Sequence, residues 1–517
     1  MVEQYPPKIE KEVYPESLSE QINALEDSGQ LAEFRKYREE HHNDPWEPAY
    51  HFSAPDGVIN DPNGLSIWEG KMHMFYQAYP PEDFRQHWGH TVSSDMVNWV
   101  DLPLAIYPGL EHAVFSGSAL VEEDRVIAMY HGTRAGNMIA TSSDPLLLNW
   151  TKHPDNPVIE IMPGSEDGKP YRIFDPFIWR EDDGYYALSG TYYGPEFTHN
   201  DGRSNQMVEH LFFSQDLARW TYIGELLDDY TLIERGNDGA CPYFWPIGNK
   251  HVLFFFSHQT GPYALVGDYD KRIHKFTPKK KVKFNYGPLG CSSLQAPCLC
   301  PDNNGGLYLV FNTKDANHTL IRKGTMTIMM HVTLENDELI IRPVENVKKL
   351  WDKEEIKKDV LVKAFDTIKL DTRSNMLDLN LSIDMKDSRA VTVKLLASDD
   401  GREYTSITIY KIGRNEGGSI PPKLCIAVDS TNASLCPDIQ GRMPEACEIP
   451  SIKDGVVELR ILVDKCILDI FANNRQYLMQ MVYPTLPDAN EISITSIGND
   501  ASVDVELHTM KPMCRKL

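Results

Sequence analysis

From about residue 46 the chain is divided into short aromatic and β-branched runs: KMHMFYQAY (71–79), RVIAMYHG (125–132), GYYALSGTYY (184–193), HVLFFFSH (251–258) and GLYLVFNT (306–313). Gly, Asp, Asn or Pro separates them, which predicts strands of a repeated antiparallel sheet. A weak internal repeat accompanies the runs. Ser94-Asp95 precedes Trp99, Ser143-Asp144 precedes Trp150, and Ser214 with Asp216 precedes Trp220, at roughly the 50 to 70 residue intervals expected of propeller blades. Beyond residue 360 the strands lengthen and alternate, as in AVTVKLLAS (390–398), YTSITIYKI (404–412), VVELRILVDKCILDIFA (456–472) and EISITSI (491–497). One apolar and one polar face is what a β-sandwich requires. Between the two textures, KLWDKEEIKKDV (349–360) predicts a short charged helix. Residues 17–41 form the clearest helical segment, with Ser17 and Glu20 as a capping box and Ile22, Leu25, Leu31 and Phe34 on one apolar stripe. The expected architecture is all-β: an N-terminal helical extension (1–45), a propeller (46–348), a linker helix (349–359) and a β-sandwich (360–517).

Length and charge refine this picture. A chain of 517 residues is too long for one compact core and implies two domains. The formal charge of −24 argues against nucleic acid or an anionic membrane as partner and favours a neutral small molecule such as a sugar. No apolar run is long enough to cross a bilayer, and the opening MVEQYPPKIEKEVYPES has neither a basic start nor an apolar stretch. The expectation is a cytoplasmic protein, or an extracellular or periplasmic one if a leader has been trimmed. The nine cysteines are an odd number without zinc spacing and read as reduced thiols. His87, His90 and His112 read as structural, so no metal or other cofactor is expected. A propeller with a sandwich can also form a homodimer, which nothing in the pattern decides.

The candidate chemistry begins at HFSAPDGVINDPNGLSIW (51–68). Taken alone, Asp61-Pro62-Asn63-Gly64 is a good turn. Its company is more specific: Phe75-Tyr76-Gln77, Gln86-His87-Trp88-Gly89-His90, Ser93-Ser94-Asp95-Met96-Val97-Asn98-Trp99 and Phe115-Ser116-Gly117-Ser118 follow in order. Their order and spacing resemble glycoside hydrolase family 32, the invertases, inulinases and levanases that act on β-fructofuranosides. In the sandwich, LRILVDKCILDIFANNRQ (459–476) resembles that family's C-terminal signature, with Asp469 where Glu is more usual. The resemblance implies a five-bladed propeller with its site in the central funnel and a retaining mechanism. It makes Asp61 the nucleophile and implies a protonated Glu as general acid. Both are needed because an alkoxide leaves poorly and a free oxocarbenium ion is too unstable to await water.

The same resemblance places the family's Arg-Asp-Pro motif at Phe174-Asp175-Pro176. Asp175 becomes the transition-state stabiliser, and its bland alternative is a strand-ending turn. Phe174 stands where Arg is expected and cannot make a forked charged hydrogen bond, so the sugar must be held differently or is a different furanoside. Arg172 precedes it in the same expected strand. Asn60, Gln77, Trp88 and Ser116 are implied to line the fructosyl pocket with Phe115 in its wall. Amide, indole and hydroxyl groups suit a polyol, whereas ordinary packing between blades is the other reading of Trp88 and Phe115.

The general acid precedes Cys-Pro in the family. Here Cys241-Pro242 follows Ala240, so a methyl group occupies the acid's position. Three explanations stand: an engineered Glu→Ala substitution, a natural sugar-binding pseudoenzyme, or an acid displaced to Asp238 or Glu234. Loss of a general acid costs on the order of 10² to 10⁴ in rate, so the expectation is a chain that binds its glycoside and barely turns over. A hydrolase of another furanoside, including an inverting one of the arabinanase type, is the remaining alternative.

Overall fold

The computed structural model describes residues 4–161, 171, 173–190, 207–317, 323–412, 423–450 and 455–516. Arg172, and the last three residues of the expected strand 184–193, lie outside them. Among the described residues, five antiparallel sheets follow one another in sequence order. Their innermost strands are Val58–Trp68, Val114–Val121, Pro176–Glu181, Ala240–Ile247 and Ser293–Pro301. Each blade has a four-stranded meander in which a strand pairs with the next strand in the chain, and in the second blade the short strand Ile159–Glu160 also pairs with Gly136–Ser142. The ring closes between the last blade and the start of the first: Ile59 N donates to Lys323 O, Lys323 N to Gly57 O and Met326 N to Phe52 O.

The Ser-Asp-Trp repeat is the turn from third to fourth strand in the first three blades. Asp95 accepts backbone N–H groups of Val97 and Asn98, Asp144 those of Leu146, Leu148 and Asn149, and Asp216 those of Ala218 and Arg219. The serine that closes each turn lies two residues before the Asp: Ser93, Ser142 and Ser214.

The sandwich consists of two six-stranded sheets around an aliphatic core that includes Leu379, Ile407 and Ile461. The propeller core continues into it through Phe471, Tyr477 and Met481, so the two modules share an apolar seam. The linker-helix expectation is corrected. Residues Glu345–Leu350 form a 3-10 helix, and Trp351–Val362 is a strand on the edge of the first sandwich sheet, paired to Ala501–Met510. Its charges mark an edge strand, where polar side chains face water and discourage further pairing. The capping box also fails. The helical extension breaks at Asp27-Ser28 into Leu18–Glu26 and Gly29–His41. Ser28 caps the second helix by accepting from Leu31 N at 3.2 Å, while the Ser17 hydroxyl donates to the Glu20 carboxylate and caps no backbone N–H. Ile22 leaves the apolar stripe and is exposed.

Candidate active site

The funnel residues are aimed by irregularities at the inner strands' starts. Register shifts fall between Ile59 and Pro62 in blade 1, Val114 and Gly117 in blade 2, Ala240 and Tyr243 in blade 4, and Leu294 and Pro297 in blade 5. A bulge bends a strand and redirects its side chains. The four bulges carry Asn60-Asp61, Phe115-Ser116, Cys241-Pro242 and Gln295-Ala296. In blade 3 the strand instead begins at Pro176, directly after Asp175.

Asp61 and Asp175 converge on one thiol. Cys241 Sγ lies 3.8 Å from Asp61 Oδ2 and 3.4 Å from Asp175 Oδ2, and Cys241 N donates to the same Asp175 oxygen at 3.1 Å. Cys241 achieves this with φ +50, a left-handed conformation that costs a non-glycine residue about 1 kcal/mol or more. Ser116 Oγ donates to Asp61 Oδ2 at 2.6 Å and accepts from Gln77 Nε2 at 2.7 Å. Asn60 accepts from Asn312 Nδ2 at 2.9 Å, and that amide also reaches Asp61 Oδ1 at 3.4 Å. Burial raises Asp61 from its ordinary value, opposed by the Ser116 hydrogen bond. Burial, then the charge of Asp61, pushes Asp175 up to about 7. The charge of Asp61 thus opposes ionisation of Asp175.

Asn60, Gln77 and Ser116 thus meet Asp61 directly. Trp88 does not reach the pocket: it is 0% exposed, donates from Nε1 to Phe115 O at 2.8 Å and stacks on Phe75. Its role is packing inside blades 1 and 2, so the sugar-plate expectation is corrected. The third residue of a blade motif is set by depth in the sheet, which spacing alone does not reveal. Phe115 and Phe174 are partly exposed and meet edge to face, 6.1 Å apart, with the His131 ring 4.9 Å from Phe174. Where a guanidinium was expected, the wall is aromatic. Phe174 is fixed there by its backbone, which both donates to and accepts from Ser189 Oγ.

Ala240 is buried with Cys241, Phe256 and Ala296 and carries no group that can donate. Neither displaced-acid candidate from the sequence serves as a free acid. Glu234 is paired with Lys281 at 2.7 Å, and that hydrogen bond lowers its pKa. Asp238 is held by His258 Nδ1 at 2.7 Å. Burial pushes the His258 ring down, but the hydrogen bond and charge of Asp238, with Asp175 and Asp61 beyond, leave it above its ordinary value.

Four polar residues near the centre escaped the sequence reading: Asn312, Gln295, His258 and Glu209. Asn312 and His258 lie near or at the ends of otherwise apolar runs, GLYLVFNT and HVLFFFSH, and Glu209 opens the run EHLFF. A polar residue at an apolar strand's end was the available signal. Among the described residues no cluster of His, Cys, Asp and Glu is arranged to hold a metal ion.

A propeller whose inner strands bring two aspartates onto one bulged Cys-Pro turn, ringed by amides and hydroxyls, is a carbohydrate-processing architecture. Profiles of the N-terminal and C-terminal domains of glycosyl hydrolases family 32 match residues 51–343 and 346–511, and the chain belongs to that family. It is 25% identical to a sucrose-6-phosphate hydrolase from Zymomonas mobilis over 83% of this chain and 85% of that protein. It is 24% identical to a fructan 6-exohydrolase from Beta vulgaris over 90% and 86% respectively. A variant of fructan 1-exohydrolase IIa from Cichorium intybus, solved in complex with 1-kestose, superposes with a TM-score of 0.78 at 20% identity, covering 91% of this chain and 98% of that one. This last likeness carries the fold alone.

Proposed function

We propose that the chain is a retaining glycoside hydrolase that removes terminal β-fructofuranosyl units from sucrose-like or fructan-derived oligosaccharides. The observation that carries this reading is the convergence of Asp61 and Asp175 on Cys241 beside the Ser116, Gln77, Asn60 and Asn312 network. Asp61 attacks the anomeric carbon as the glycosidic bond breaks, forming a fructosyl ester. Water then attacks that carbon and the ester bond to Asp61 breaks, releasing fructose with retained configuration. Asp175 grips ring hydroxyls and faces the developing positive charge. Residue 240 supplies no proton in this scheme. If no other group does so, natural substrates with alkoxide leaving groups are cleaved on the order of 10² to 10⁴ more slowly than in an enzyme with its acid in place. The aromatic wall of Phe115, His131 and Phe174 favours contact with a furanoside's carbon face over charged recognition of its hydroxyls.

The reading is tested with p-nitrophenyl β-fructofuranoside, whose leaving group departs without protonation. The expected result is nitrophenol release, with mass spectrometry finding fructose attached to the peptide that bears Asp61, and with neither event in Asp61→Asn. Absence of release, or a product of inverted anomeric configuration, sinks it.

A further inference from the structure

Glu209 begins the third strand of blade 3 and pairs with Gly190, at the same end of the blade as Asp175. It is 0% exposed, and neither carboxyl oxygen has a hydrogen-bond partner among the described residues. A carboxyl in that condition costs several kcal/mol if ionised. Ordinary packing would have selected an apolar side chain of the same size.

Its route into the centre is made by two glycines. A β-carbon on Gly190 would sit 2.0 Å from Gly239 O, and one on Gly239 would sit 2.5 Å from Glu209 Oε1. Only with both side chains absent can Glu209 cross the end of blade 3 and bring its carboxyl against Gly239. Gly239 immediately precedes Ala240, the position left without an acid, and Cys241, whose N–H and thiol hold Asp175. The charged groups acting on Glu209 are Asp175 and Asp238. Burial first, and then these two, raise its carboxyl well above the usual range. Asp238 is itself engaged by the His258 ring. The missing carboxyl at 240 and the unexplained carboxyl at 209 therefore occupy neighbouring space from different blades.

We propose that Glu209 is the general acid and base of this site, delivering from blade 3 the proton that residue 240 cannot. The inference rests on the fructosidase reading above. In the first step Asp61 forms a bond to the anomeric carbon, the bond from that carbon to the leaving oxygen breaks, and the Glu209 proton passes to that oxygen. In the second step water bonds to the anomeric carbon, its proton passes to the Glu209 carboxylate, and the bond to Asp61 breaks. The carboxyl ends as it began.

The test compares the unaltered protein, Glu209→Gln and Ala240→Glu on a panel of sucrose, inulin and levan, and on p-nitrophenyl β-fructofuranoside. The unaltered protein is expected to hydrolyse at least one member of the panel. Glu209→Gln, nearly isosteric, should lower kcat/KM on that substrate by 10² to 10⁴ and abolish the basic limb of its pH profile. The same variant should release nitrophenol with less than tenfold loss in the first step, and sodium azide should accelerate its turnover of the aryl substrate. Release of nitrophenol also shows that the variant has folded. Unchanged panel activity in Glu209→Gln overturns the proposal, as does equal loss on aryl and natural substrates. A panel-inert unaltered protein that Ala240→Glu rescues by powers of ten also overturns it while leaving the fructosidase reading intact. Silence of the unaltered and Ala240→Glu proteins on every substrate removes that reading and this proposal together.

Discussion

Ser116 acts directly on Asp61, the proposed nucleophile. Its hydroxyl donates to Asp61 and accepts from Gln77, so the anion is favoured by a hydrogen bond whose own geometry is fixed by a second one. Ser116→Ala removes the donor, and Asp61, already raised by burial, rises further. The acidic limb of the kcat/KM profile should move to higher pH, and the plateau should fall about tenfold or more, since a hydrogen bond to a charged group is worth about 1.5–3 kcal/mol. An unmoved acidic limb, measured on an activated fructoside, would show that the hydroxyl does not act on Asp61. The residues of this network were legible because short polar motifs keep chemistry and position together: Asn60-Asp61 and Phe115-Ser116 each sit on a bulge that carries both members. Trp88 and Glu209 were not legible. Whether an indole faces a funnel or the neighbouring sheet depends on depth within the blade. The space that admits Glu209 is made by Gly190, at the end of another strand, and Gly239, in the loop before Ala240–Ile247.

At the scale of the element, the strand Trp351–Val362 shows how tertiary pairing overrides local preference. Its run of Lys, Glu and Asp favours a helix locally, but the apolar face of the sandwich needs an outer strand, and Ala501–Met510 offers a ladder. One buried carboxylate joins this edge to the sheet. Asp378 accepts from Trp351 Nε1 at 3.0 Å and takes both Arg460 Nε and an Arg460 terminal nitrogen, at 2.9 and 2.7 Å. Three strands of one sheet thus meet at a single side chain. Asp378→Ala leaves a largely buried guanidinium without its partner, which typically costs about 3–5 kcal/mol. The denaturant midpoint of the sandwich should fall accordingly, while Asp378→Ala with Arg460→Leu should recover part of the loss. If the single variant unfolds at the same midpoint as the parent, the edge strand is held by its backbone ladder alone. Alternation made the inner sandwich strands readable. The edge strand was not, because half-exposed strands lose the apolar period that distinguishes them from a charged helix.

At the scale of the molecule, propeller and sandwich are clasped by His51. Its Nδ1 lies 2.9 Å from Asp464 Oδ2 and its Nε2 lies 2.6 Å from Asp469 Oδ2, with both side chains fully buried. Asp464 also accepts the backbone N–H groups of Ala49, Tyr50 and His51, and Asp469 accepts the Tyr477 hydroxyl. The shorter acid at 469 is matched to this contact, a use that the motif LRILVDKCILDIFA could not disclose because its partner lies more than four hundred residues away in sequence. Burial alone would lower the His51 pKa. The charge of Asp469 and the hydrogen bonds of both carboxylates outweigh it and raise the ring to about 9. A group raised on folding contributes stability that is fully present below its unfolded value of about 6.5 and is lost as pH rises through its folded value. The intact chain should therefore lose stability between about pH 6.5 and 9, by on the order of 3 kcal/mol from this group. His51→Gln keeps a hydrogen-bonding side chain but cannot titrate, so it should be less stable than the parent at pH 6 and converge on it above pH 9. Chemical denaturation of both proteins across that range decides the matter: parallel curves would mean that the imidazole stays neutral between its two aspartates, and that the modules are joined by their shared apolar seam rather than by charge.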